Sequence, residues 1–341
     1  MSRRTKLVVH IGTGKTGSTA IQQHCDAARQ DLLRQGIAYL GSALEHCGTR
    51  SPFDWQLRSG AVSLLHGPDP ATKEAEVHSV LNEELARLTD AGVPTALWSN
   101  EALFARHEGI IAALERLVAE GTDLSVVVYL RRHDTWSRSA YFQWGIRHKS
   151  YRGPVKRFAE WIHEHPVRFG DDLAAWNDAL AKSLLPRNYD LVEDVTADLL
   201  SLIGARDIGT RRALPTPGPV ELTAWAAYND RFEAEVLPNV FGNLLENAGL
   251  PNRARHSLPP PDLLFPTEED LGAVRDGARD DLDRINVILK GHGEPPLSLD
   301  GSMTAEMPPS HWEMLQFLMS MAFSLQERVD ELSRRLDDLG G

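Results

Sequence analysis

Cysteine is scarce in this chain. Cys25 and Cys47 are the only two among 341 residues, too few for a disulfide framework, so core packing in a reducing compartment is expected to hold the fold. Long apolar runs are missing as well, and nothing approaches the roughly 20 residues of a membrane-spanning helix. Positive charge is in deficit: 36 Lys and Arg stand against 48 Asp and Glu, a net charge of −12. That balance excludes a general nucleic-acid binder, which needs a basic surface, but leaves room for a local basic pocket. The first strand begins by about Leu7, which leaves no length for a leader peptide, and a cytoplasmic protein is expected. Apolar residues make up 42% of the chain, enough for a sizeable core in one large α/β domain with additions or in two modest domains.

Short apolar runs alternate with helix-like stretches through the first two hundred residues. Strands are predicted at Leu7–Ile11, Ile37–Leu40, Pro94–Trp98 and Leu124–Leu130, with a weaker one near Ser183–Pro186. Helices are predicted over 17–35, 72–91, 108–120, 134–147, 154–164, 171–182 and 192–204. Uniformly apolar strands separated by helices indicate a parallel sheet covered on both faces. Residues 41–71 form a long excursion of Ser, His, Gly, Pro and Asp, the type of segment that shapes a substrate pocket. From about 214 the prolines 215, 217 and 219 open a helix-rich region with predicted helices at 220–235 and 268–290. Three segments result: an α/β core over 1–213, a helix-rich region over 214–300 that completes the fold and the substrate pocket, and a helix over 310–339. In that last helix Leu315, Ala322, Val329 and Leu336 recur every seven residues, as do Leu318, Leu325, Leu332 and Leu339. Such a repeat suits a coiled coil, hence a homodimer through this helix, and equally suits docking on its own domain.

The most informative segment is His10-Ile11-Gly12-Thr13-Gly14-Lys15-Thr16-Gly17-Ser18-Thr19, where a strand breaks into a glycine-rich turn and resumes as a helix. Free backbone N–H groups at such a helix start can hold a phosphate. Gly14-Lys15-Thr16 invites comparison with an NTP-binding loop, but that motif needs a glycine five positions before its second glycine. Val9 stands there instead. A carboxylate closing a nearby strand should also hold Mg²⁺, whereas the strongest strand ends in Arg131-Arg132. Two donors for an anion stand where metal ligands would be needed.

The arrangement resembles sulfotransferases that use 3′-phosphoadenosine 5′-phosphosulfate (PAPS), closest to bacterial members with a His-Ile-Gly-x-x-Lys-Thr-Gly opening. Lys15-Thr16-Gly17-Ser18-Thr19 matches their 5′-phosphosulfate loop, and Arg131 with Ser139 eight residues later matches their 3′-phosphate pair. The resemblance covers about residues 6–205. Ala174-Ala175-Trp176 and the stretch Val192–Leu200 lie where that family has a Trp-bearing helix and a final helix. It implies a three-layer α/β fold with a central parallel sheet flanked by helices, of the P-loop-like sulfotransferase type, carrying a helical C-terminal extension. It also implies PAPS as cofactor, 3′-phosphoadenosine 5′-phosphate as product, and no metal.

On that basis Lys15 stabilises the leaving phosphate oxygen, and Thr16, Gly17, Ser18 and Thr19 hold the 5′-phosphate. Arg131 and Ser139 take the 3′-phosphate. A general base is needed for the acceptor hydroxyl; Glu101, closing the strand at Ala96–Trp98, is the candidate, with capping of the following helix as its structural alternative. Ser99 is a weaker cofactor candidate. His10 is expected to be a satisfied structural histidine and His133 to be exposed. Arg211-Arg212 read as a solvated pair, with a reach to the 3′-phosphate from the later half of the fold as the alternative. Residues 131–157 concentrate eight Arg and Lys against one acid, Asp134, which would draw an anionic cofactor or form a solvated helix face. Ala20 stands where cytosolic members place an adenine-stacking Trp, so adenine needs another partner. The acceptor is a small-molecule or glycan hydroxyl, carbohydrate being favoured by a glutamate base. The alternatives are a P-loop kinase or NTPase with a degenerate Walker A, and a non-catalytic scaffold assembling through the last helix.

Overall fold

The computed structural model describes residues 4–48, 53–57, 69–206, 218–237, 264–300 and 307–340. In chain order the strands are β1 (Lys6–His10), β2 (Ile37–Tyr39), β3 (Thr95–Ser99), β4 (Leu124–Leu130) and β5 (Leu184–Asn188). The helices needed below are α1 (Ser18–Ala27), α2 (Arg29–Arg34), α3 (Pro70–Asp90), α4 (Ile110–Ala119), α5 (His133–Ala140), α6 (Phe158–Glu164), α7 (Gly170–Leu180), α8 (Val195–Leu202), α9 (Pro219–Asn229), α10 (Glu268–Gly277), α11 (Arg279–Gly291) and α12 (His311–Gly340). Two compact units emerge: one from the described residues of Met1–Arg132, Arg168–Leu214 and Ala278–Ser298, the other from those of His133–Val167, Pro215–Gly277 and Leu299–Gly341.

The first unit is α/β. Its five strands are all parallel, in the order β2-β3-β1-β4-β5. All seven residues of β4, Leu-Ser-Val-Val-Val-Tyr-Leu, are buried, as expected of a central strand covered on both faces. On one face Val8, Leu97, Val127 and Tyr129 pack with Ile21 and Cys25 of α1, Leu32 of α2, and Leu199 and Leu200 of α8. The alternate positions, Leu7, Val9, Ala96, Trp98, Val126 and Val128, point to the other face and are equally buried. There α3 packs on α4, α4 on α7, and α7 touches β5. β1 and β3 end level, with His10 opposite Ser99, so the segments that follow them leave from one edge of the sheet.

Residues from beyond position 214 complete this unit. Asp281 of α11 accepts from the backbone N–H of Phe169 and Gly170, both at 2.9 Å, and so caps α7. Glu294 accepts from the backbone N–H of Asn188 at 2.9 Å and pairs with Arg187 at 3.3 Å. The span 1–213 read from the sequence therefore lacks α11 and the residues after it.

In the second unit Tyr141, Phe142, Phe158, Trp161, Leu222 and Phe265 share one core. Three predicted helices differ in detail. The 17–35 helix divides at Ala28 into α1 and α2. The 134–147 helix is α-helical only to Ala140 and continues as a π-helical turn, Tyr141–Arg147, in which Gly145 lies so close to the Tyr141 ring that a Cβ would collide with it. The 268–290 helix breaks at Ala278 into α10 and α11, which belong to different units. Part of the basic run is structural. Lys149 is fully buried, and its ammonium donates to the carbonyls of Tyr151, Gly153 and Phe232 at 3.3, 2.5 and 2.8 Å. Lys156 pairs with Glu164 at 2.5 Å.

Candidate functional site

The turn after β1 is built from left-handed backbone. Gly14, Lys15 and Gly17 have φ of 68°, 52° and 82°. A lysine in that region is uncommon and strained, and such strain concentrates at functional sites. Gly17 must be glycine on two counts: its φ is positive, and a Cβ would collide with Val195 at the start of α8. Gly12 is constrained differently. A Cβ there would lie 2.5 Å from the Ser18 hydroxyl and 3.3 Å from the Nε2 edge of His10.

No side chain caps the N-terminus of α1, and its first turn carries no acid. Two hydroxyls sit in this turn, Thr16 fully buried and Ser18 1% exposed, and neither Thr16 Oγ1 nor Ser18 Oγ has a hydrogen-bond partner. Buried polar atoms are normally paired, so two orphans beside an uncapped, positively polarised helix start mark a place for a polar ligand. Lys15 is half-buried in the same turn, and Thr19 is exposed on the first helical turn.

Arg131, one residue beyond β4, donates from Nη1 to the backbone carbonyl of Lys15 at 2.9 Å. The loop lysine and the strand-end arginine, 116 positions apart, are therefore joined directly. The Arg131 guanidinium also lies 5.2 Å from the centre of the Tyr189 ring, in the turn after β5. Arg132 is tied to that turn by its backbone N–H, which donates to Asp190 at 3.1 Å. Thr13 adds a second tie, its hydroxyl donating to the Tyr129 carbonyl at 3.0 Å. Beneath them the Tyr129 hydroxyl donates to Asp198 at 2.8 Å, and Asp198 pairs with Arg187 at 2.7 Å. Burial, then Asp198, push the Tyr129 phenol up, so it stays protonated.

Ser99 and Glu101 leave the same sheet edge, but in different ways. Ser99 is fully buried, with its hydroxyl 2.8 Å from His10 Nδ1, so it faces the histidine. Asn100 caps the short turn Glu101–Leu103 by accepting from the Ala102 N–H at 3.0 Å, which removes the capping role considered for Glu101. Glu101 itself is exposed. His10 is only half satisfied: Nδ1 is bonded, while the buried Nε2 has no partner. Burial lowers its pKa to about 4, so the ring is neutral. His133, expected on the surface, is fully buried at the start of α5. Ser139 is half-buried two turns into α5, in that second unit. Trp176, in the predicted Trp-bearing helix, is a core residue of α7 whose indole N–H donates to Phe104 O at 3.0 Å. Arg211 and Arg212 lie outside the described residues.

The first unit thus brings together Lys15, Thr16, Gly17, Ser18 and Arg131, and reveals Thr13, Tyr189 and Asp190 as their supports. No motif marks those three. Position alone does, since the ends of β1, β4 and β5 meet at one edge, where open α/β sheets bind ligands. Among the described residues no group of three His, Cys, Asp or Glu side chains is placed to hold a metal, and no helix is long and apolar enough to cross a membrane. No protein-family model matches this chain, and no curated protein matches it.

Proposed function

We propose that the chain is a PAPS-dependent sulfotransferase that transfers a sulfuryl group to an acceptor hydroxyl, carbohydrate being the favoured class. The observation that carries this is the pair of unpartnered buried hydroxyls, Thr16 and Ser18, at the uncapped start of α1, in a loop braced by Arg131. These residues fit a phosphate, because each orphan hydroxyl supplies a donor beside the uncapped helix start. A second cationic group at the end of β4 suits a nucleotide that carries a second phosphate remote from the first.

PAPS, when bound, supplies the sulfuryl group and a phosphate leaving group. Thr16, Ser18, Thr19 and the N–H groups from Gly17 onward hold the 5′-phosphate. Lys15 offers its ammonium to the bridging oxygen, where negative charge accumulates as the S–O bond breaks. Arg131 offers a forked guanidinium to the 3′-phosphate. Glu101, exposed at the same edge and released from capping, accepts the proton of the acceptor hydroxyl as its oxygen bonds to sulfur.

Calorimetric titration separates this from nucleotide phosphorylation. Binding of 3′-phosphoadenosine 5′-phosphate without Mg²⁺ is expected, weakened at least about tenfold by Lys15→Ala and by Arg131→Ala. Tight binding of ATP–Mg²⁺ with no response to the bisphosphate would overturn it in favour of a kinase or NTPase.

A further inference from the structure

The last helix presents an apolar seam that its own unit leaves uncovered. α12 is 30 residues long and rests against α9. Its half-buried residues, Met314, Phe317, Met321 and Leu325, follow one another at spacings of three and four, which defines the stripe turned toward its own unit. The heptad positions lie mostly outside that stripe. Leu315, Leu318, Val329 and Leu332 keep 46%, 56%, 53% and 53% of their surface exposed, and Ala322 is exposed as well. Isolated exposed leucines are ordinary, but five exposed apolar residues at a and d positions between Leu315 and Leu332 are not.

We propose that this seam pairs with the same seam of a second copy, as a parallel, in-register two-stranded coiled coil. A helix partner follows from the repeat, since seven-residue spacing keeps an apolar row facing only a helix of the same period. A second copy follows from self-complementarity: one chain supplies both halves of a two-fold seam. Charge selects the direction. With Leu315 at a and Leu318 at d, the g positions are Met314, Met321, Arg328 and Arg335, and the e positions are Met319, Gln326 and Ser333. A parallel pair sets each g against a partner e, so Arg328 meets Ser333 and no like charges face each other. A fully overlapped antiparallel pair sets g against g, which brings Arg328 against its own copy. The acids occupy outer positions, and Glu331 is already paired with Arg335 on its own helix.

Leu315, Leu318, Ala322, Val329 and Leu332, at roughly 60–120 Å² each, hide about 600–1,200 Å² in the pair, which reaches the lower end of the range of a stable specific interface. Leu at every d position and Val329 among the a positions suit two strands.

Sedimentation of the full chain, with and without Leu318→Asp plus Leu332→Asp, tests the pairing. Both leucines are exposed in the single chain, so the substitutions leave each subunit folded, which circular dichroism verifies. A dimer is expected for the native chain, weakened at least about 100-fold by the two seam charges. Gln316→Asp, at an exposed b position, should leave it intact. Val329→Cys should lock the dimer through a disulfide under oxidising conditions, because equal a positions face each other only in the parallel, in-register pair. A monomeric native chain, a dimer indifferent to the seam charges, or a dimer that Val329→Cys fails to lock would each overturn the proposal. None of these outcomes bears on sulfuryl transfer.

Discussion

At the end of β1, burial holds His10 neutral, lowering its pKa from 6.5 to about 4, while Ser99 fixes one ring nitrogen and the other faces Gly12. Between those two values the unfolded chain binds a proton that the folded chain refuses, so stability rises with pH across this window. Acidifying from neutral to about pH 5 should cost about 2 kcal/mol through this group alone. Urea denaturation at both pH values, for the native chain and His10→Gln, measures it: the acid-sensitive part should shrink in the variant, and equal losses in both would rule His10 out. Glu101 gives a second test at this scale. Glu101→Gln should lower kcat by about 10²–10⁴ while leaving binding of 3′-phosphoadenosine 5′-phosphate unchanged, since the carboxylate is assigned to the acceptor proton and not to the nucleotide. An unaltered turnover would remove it from the mechanism.

At the scale of elements, α7 starts without a local cap and takes both acceptors from Asp281, which lies 111 positions from Gly170. Asp281→Ala should destabilise the first unit by about 2 kcal/mol or more, since two backbone N–H groups lose their partners together. Asp281→Asn, keeping one acceptor oxygen, should lose less; equal stability of all three chains in thermal denaturation would show that another group caps α7. This pairing also shows where legibility ends. β4 could be located from Leu124–Leu130 because a run apolar on both faces has one explanation, a central parallel strand. The loop could be found because Gly, Lys and hydroxyls between strand and helix have a shared chemical use. Arg131 could be linked to Lys15 only through a family resemblance, and the contact through the Lys15 carbonyl carries no signature, because any residue has a carbonyl. Asp281, Tyr189 and the burial of His133 were equally illegible. Each depends on which elements come together, and neither local composition nor period encodes that.

At the scale of the whole molecule, the chain passes between its two compact units repeatedly, at 132, 167, 214, 277 and 298. Neither unit is a continuous stretch. A chain ending at residue 213 would carry all five strands but lack Asp281 and Glu294, leaving the start of α7 uncapped and Arg187 with one carboxylate in place of two. Such a fragment is expected to be degraded by protease well before the full chain and to unfold without a cooperative transition. A fragment as resistant as the full chain would mean that Ala278–Ser298 decorates this unit and does not complete it.

The left-handed Lys15 carries a further consequence. At φ 52° any side chain with a Cβ costs about 1–2 kcal/mol relative to ordinary backbone, and only glycine escapes that penalty. Glycine would therefore sit more comfortably here, so a lysine at this position sets conformational ease against its charge. Selection for thermostability alone should drift away from lysine at residue 15, and selection for turnover should restore it, which makes this one residue a gauge of the pressure a population of variants has been under.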